Sequence, residues 1–177
     1  ASTAAFGAGT TAQRAIAVTG RWGWQERTEP AGATAEAPTA AQTTLDVTNA
    51  SLIGIGDVLL IDSEGLFVSD KGSLDTTANL NGALTATQSQ TSVTVHTGTL
   101  VLVGEVILID SERMLITARA TNVLTVVRAF EGTTLASHAD VADVFAFRRL
   151  TVERAVNGTT AATHANAAAI TRYIAPG

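Results

Sequence analysis

Asp62-Ser63-Glu64 and Asp110-Ser111-Glu112 are the groups in this chain whose types and spacing come closest to chemistry. Two carboxylates around a hydroxyl are the parts of an acid–base pair, or of an oxygen shell for Ca²⁺. The same residues also make a tight turn, in which Asp or Ser bonds a nearby backbone N–H and Glu opens the next strand. Each triplet stands between a buried-type run (Val58–Ile61, Val106–Ile109) and a further apolar stretch, where a hairpin turn belongs. The turn is therefore the expectation. The competing enzyme reading, a carboxylate-dependent hydrolase using Asp110 and Glu112, requires those side chains to converge in a cleft.

His138 and His164 follow GTT-x-Ala-Ser/Thr at matching positions. Paired imidazoles can bind a metal or act as a general base, but no second ligand stands near either at metal spacing. Each is expected to pack over a short helical turn and to bond a backbone carbonyl. His96, whose counterpart is Thr48, is incidental. Ser63, Ser111 and Ser137 lie in no nucleophile elbow, and no Gly-rich phosphate cradle precedes a helix. The chain has no Cys, which excludes thiol catalysis, disulfides and cysteine zinc sites. The expectation is a protein that is not an enzyme, with no catalytic, metal-binding or cofactor-binding residue.

What remains is contact chemistry. Trp22 and Trp24 alternate on one face of a predicted hairpin, with Arg21, Glu26 and Arg27 around them. Trp and Arg are enriched at subunit contacts, so Arg21, Trp22, Trp24 and Arg27 are interface candidates; stacking of the Trp pair on a sugar is the alternative. Arg148-Arg149 is expected to form a junction ion pair with the acidic outer module and completes the interface set. Net charge is −5 with no basic stripe, which disfavours binding of nucleic acid through phosphates. No apolar run approaches a membrane span, and the N-terminus lacks the basic and apolar regions of a signal peptide. The first residue is Ala, as in a processed or excised piece.

These residues are carried by a sequence that repeats itself at two offsets. Residues 43–70 laid on residues 91–118 agree at ten of 28 positions, an offset of 48, while 124–147 on 150–173 agree at twelve of 24, an offset of 26. A tandem duplication has one offset. Two arise when an inner module interrupts an outer one. Short runs rich in Val, Ile, Leu and Thr, separated by Gly, Asp and Ser turns, give an all-β reading. The expected strands are Thr44–Val47, Val58–Ile61 and Leu66–Val68, repeated as Ser92–Val95, Val106–Ile109 and Met114–Thr117, then Val123–Arg128 and Val144–Phe147. Gly132–Asp140 and Gly158–Asn166 are expected as capped helical turns. The expected organisation is an N-terminal arm, Trp hairpin and linker (1–42, with Pro30–Gln42 as the linker), an outer β module (43–87 plus 148–177) and an inserted β module (88–147). Each module is a small β-barrel or sandwich. Lys71–Gln88 is a connector in which Leu80 and Leu84 flank a short ribbon.

Two stretches resemble proteins of tailed bacteriophages. Ile16–Trp24 (IAVTGRWGW) resembles the VTGRxGW hairpin of head–tail connector (adaptor) proteins, and the GEV…IDSERMLIT…LTVxR…GTT…His pattern resembles β-rich regions of virion proteins. The resemblance implies a structural, homo-oligomeric virion subunit, assembled in the host cytoplasm, that forms a ring or polymer. It also implies other virion proteins, portal and tail, as partners, with no membrane and no sequence-specific nucleic acid. Connector proteins normally carry helices for portal docking, and this chain has no long amphipathic helix. The alternative is a glycan-binding or decoration module of a phage tail fibre or capsid.

Overall fold

Alternation sets the strands. In Val58–Ile61 every second side chain, Leu59 and Ile61, is fully buried, and in Val106–Ile109 the same holds for Ile107 and Ile109. The structure is a computed structural model and describes residues 27–174. Its strands are β1 (Arg27–Ala33), β2 (Thr44–Asp46), β3 (Val58–Ile61), β4 (Glu64–Asn79), β5 (Ser92–Thr94), β6 (Val106–Ile109), β7 (Glu112–Ala120), β8 (Val123–Val127), β9 (Asp143–Val156) and β10 (Ala169–Ile174). The only helical elements among the described residues are 3₁₀ turns at Gly98–Leu100 and Phe130–Gly132. The protein is all-β.

The strands form one open antiparallel sheet in the order β1-β10-β3-β4-β9-β6-β7-β8-β5, with β2 also paired to β9. The long strands β4 and β9 are its spine. Their ladder runs from Gly65 opposite Val156 to Asn79 opposite Asp143, with bulges that bend it on the way. Isolated bridges from Thr34 to Val47 and from Leu80 to Val95 curl the sheet back on itself at two places. Inside those curls lie two apolar clusters. One holds Leu45, Leu59, Ile61, Leu66, Leu150 and Ile170 among others; the second includes Leu80, Ile107, Ile109, Met114, Leu124 and Val144.

Strand register repeats at the two sequence offsets. Phe67 stands opposite Glu153 as Leu115 stands opposite Val127, and the bulge between Val68 and Asp70 recurs between Ile116 and Ala118. Leu45 opposite Leu150 is matched by Val93 opposite Leu124. Backbone conformation follows: Asp62 and Asp110 have φ of 53° and 52°, and Val141 and Ala167 have φ of 60° and 61°. Close approach recurs less evenly. A Cβ on Gly98 would lie 2.0 Å from the Thr121 carbonyl oxygen, so only glycine fits there.

Three expectations are corrected. Pro30–Gln42 is not a linker: β1 reaches Ala33, Ala31 is buried, and Ala35 donates to the Asp46 carbonyl. Backbone pairing, not a side-chain pattern, makes its first residues β, and Gly32 there holds a φ of 96° that glycine adopts readily. Lys71–Gln88 is not a connector with its own ribbon, because β4 continues to Asn79. Leu80 and Leu84 bridge separately to Val95 and His138, and Ala78, Leu80 and Leu84 belong to the second cluster. Nor are Gly132–Asp140 and Gly158–Asn166 helical turns. There the hydroxyls of Thr133 and Thr159 accept the Arg113 and Gly65 amides and donate to the Phe130 and Val156 carbonyls.

Candidate functional site

The two triplets are indeed hairpin turns. Ile61 pairs with Glu64 across Asp62-Ser63, and Ile109 with Glu112 across Asp110-Ser111. Asp tolerates the left-handed conformation these turns need better than most residues do. The turn aims its two carboxylates differently. The Glu side chain is fully enclosed, while Asp62 and Asp110 stay largely exposed.

Each enclosed carboxylate is saturated with donors. Glu64 receives a two-pronged bond from Arg154 (2.7 Å to each oxygen), the amides of Ala155 (3.2 Å) and Ala162 (2.9 Å), and His164 Nε2 (2.8 Å). Glu112 receives Arg128 (2.7 and 2.8 Å), the amides of Ala129 (2.9 Å) and Ala136 (3.0 Å), and His138 Nε2 (2.9 Å). A left-handed residue after each arginine, Ala155 at φ 58° and Ala129 at φ 52°, turns its amide toward the carboxylate. The guanidinium groups spend their remaining protons on carbonyls: Arg154 on Thr39, Gln42 and Ala162, Arg128 on Thr85 and Ala136. Burial pushes both glutamates up. The arginine, the histidine and the backbone amides outweigh it, and each is held down at about 2.

The histidines sit between two carboxylates and do not bond a backbone carbonyl through the ring, which corrects the expectation above. His164 Nδ1 is 2.8 Å from Asp62 and His138 Nδ1 is 2.7 Å from Asp110, while each Nε2 meets the glutamate. Both nitrogens of each ring are thus engaged by carboxylate oxygens. The backbone of each histidine is fixed as well, by Pro38 O for His164 and by Leu84 for His138. Asp110 and Glu112 do converge, but on one buried imidazole and not on an open cleft. Neither ring has a free nitrogen and neither glutamate a free oxygen for a substrate. Among the described residues no group of three or more His, Cys, Asp or Glu is suited to hold a metal ion.

Arg128 and Arg154 are the functional side chains that sequence reasoning missed. The signal was present. In Leu124-Thr-Val126-Val-Arg128 and Leu150-Thr-Val152-Glu-Arg154, period-two alternation puts the arginine on the buried face, and it stands at the same place in both stretches.

Of the interface candidates, Arg21, Trp22 and Trp24 lie outside the described residues, and Arg27 is exposed at the start of β1. Arg148 is half-enclosed and grips Glu105 with two bonds of 2.6 Å, while the exposed Arg149 holds Asp46 at 2.7 and 2.8 Å. Between the two curls runs a groove of about 410 Å³ whose lining includes Ile55, Lys71, Leu115, Phe130 and Phe147. Lys71 Nζ caps its wall by donating to Ala50 O (2.9 Å) and Ile53 O (2.6 Å). Burial pushes the Lys71 ammonium down, while Glu105, Asp57 and Glu131 pull it back up.

No family model matches this chain, and no curated protein or solved structure matches it.

Proposed function

We propose that this chain is a structural subunit of a tailed-phage virion, a self-associating component of the head–tail connector that joins portal and tail. Its β unit is a duplicated module with one copy inserted in the other, and each copy is a small barrel closed around its own Glu–Arg–His clamp. The observation that carries this reading is the fate of the ionisable groups. In both clusters the carboxylate, guanidinium and imidazole are spent on holding turns and strands together. That suits a rigid building block, and it leaves recognition to surfaces and edges. The phage role itself rests on the sequence resemblance, and Trp22 and Trp24 are its interface anchors.

Light scattering and negative-stain microscopy of the full chain at micromolar concentration test this. A discrete ring or a polymer is expected, and Trp22→Ala with Trp24→Ala weakens it. A stable monomer would overturn the proposal.

A further inference from the structure

The chain has ten arginines but a single lysine, and the fold sets that lysine in the wall of the groove between the two curls. Lys71 Nζ donates to the carbonyls of Ala50 (2.9 Å) and Ile53 (2.6 Å). A neutral amine has two N–H bonds and one lone pair. With both N–H bonds held by the loop, the lone pair takes the direction left to it, away from both carbonyls. The sister repeat shows what holding the loop alone requires. At the offset of 48 residues Arg119 stands in place of Lys71 and donates to the carbonyl of Gly98, the counterpart of Ala50. A guanidinium does that work without being a nucleophile, whereas a lysine taken out of water becomes one. Burial pushes the Lys71 ammonium down, and the upward pull of Glu105, Asp57 and Glu131 offsets this only in part.

We propose that Lys71 is a covalent binding site for an apolar aldehyde, which it holds in the groove as a protonated Schiff base. The nitrogen lone pair forms the C–N bond to the aldehyde carbon. The aldehyde oxygen leaves as water with the two protons of the amine, and one proton from solvent makes the imine cationic. The iminium keeps a single N–H, so one loop carbonyl retains its donor and the other loses it. The surroundings select this chemistry. The Ala50 and Ile53 carbonyl oxygens, with the carboxylates of Asp57, Glu105 and Glu131 near by, stabilise a cation at this nitrogen. The same oxygens would repel the oxyanion through which acyl transfer to the amine has to pass. Ile55, Leu115, Phe130 and Phe147 offer apolar wall to the body of the aldehyde, Asp70 and Arg113 complete the charged part of the lining, and the volume of about 410 Å³ is that of a small-molecule site. This site is independent of the assembly role proposed above.

The full chain is treated with benzaldehyde near pH 7, trapped with sodium cyanoborohydride and mapped by peptide mass, beside Lys71→Arg and free N-acetyl-lysine amide. The Lys71 adduct is expected to form at least about tenfold faster than the adduct of the free amine. Its rate should saturate as benzaldehyde concentration rises, because a bound complex precedes the covalent step, and its rise with pH should come at lower pH than that of the free amine. Lys71→Arg, which keeps a donor for the Ala50 carbonyl as Arg119 does for Gly98, should be labelled only at the α-amine. Glycolaldehyde, which has no apolar body, should show no saturation. A Lys71 adduct that forms no faster than that of the free amine, or a benzaldehyde rate that stays linear in concentration, overturns the site. Equal saturation by glycolaldehyde overturns the apolar class of ligand.

Discussion

Acid should dismantle this protein through two carboxylates, and the expected loss can be worked out. Glu64 and Glu112 are held at about 2 in the folded chain against an ordinary value of 4.5. A folded-state value below the unfolded one contributes stability that is present above pH 4.5 and is lost as pH falls toward 2. At about 1.4 kcal/mol for each tenfold in proton affinity, each glutamate contributes about 3–4 kcal/mol, and the two about 7. A domain of this size has a total of about 5–15 kcal/mol, so about half of its margin or more should vanish across that window. The glutamates are the groups to blame because their partners are buried with them: Arg128 and Glu112 are both fully enclosed.

Urea unfolding at a series of pH values, on wild type and Glu112→Gln, checks the reasoning. At pH 6 the variant leaves the Arg128 guanidinium buried without its counter-charge, which costs about 3–5 kcal/mol. Near pH 2 the folded wild-type carboxyl is about half protonated and nearly all of its linkage stability is gone, so the two stability curves should converge. Curves that stay parallel from pH 6 to pH 2 would refute the assignment, since the acid sensitivity would then lie elsewhere.

Other substitutions follow from backbone and packing. Val141 is exposed and held at φ 60°, a conformation unfavourable to a β-branched residue. Val141→Asn should raise stability by about 1 kcal/mol, read as an upward shift of the urea midpoint. Gly98→Ala should cost more than about 2 kcal/mol, because its methyl would lie 2.0 Å from a backbone oxygen. Gly82→Ala, with open space but φ 98°, should cost about 1 kcal/mol in the same assay. Finally, Gly72 stands opposite Arg149, so replacing residues 73–148 with an Asn-Gly turn should leave a chain that unfolds cooperatively and retains the Glu64–Arg154–His164 clamp. A shortened chain with no cooperative transition would count against the nested-module proposal.

The strands legible in the sequence were those whose side chains choose their faces. Val58–Ile61 and Val106–Ile109 bury alternate residues, and their limits agree with the structure. The Asp-Ser-Glu turns were legible because Asp and Ser favour turns by local bonding. β1 was not, since PAGATA has no β pattern and owes its conformation to partners far along the chain, the Ala168 carbonyl for Thr34 and the Asp46 carbonyl for Ala35. The clamps were half legible. Glu64, Glu112 and both histidines stood out as repeated residues, but no local rule joins Glu64 to a histidine 100 positions away. The arginines were passed over because a charged residue at the end of an apolar strand reads as a solvated terminus, and only its parity with Leu124 and Val126 says otherwise.

The two clamps have the same geometry but not the same cost of formation. Glu112 reaches His138 across 26 residues, whereas Glu64 reaches His164 across 100. Closing the longer loop in a flexible chain costs about 1 kcal/mol more. That difference disappears if residues 73–147 fold first, because the ladder that ends at Gly72 and Arg149 then brings the remaining segments together. The second repeat should therefore form early and the first repeat late. In stopped-flow experiments Glu112→Gln should slow folding, whereas Glu64→Gln should chiefly speed unfolding. The opposite pattern would mean that the outer clamp closes before the segment it encloses has folded.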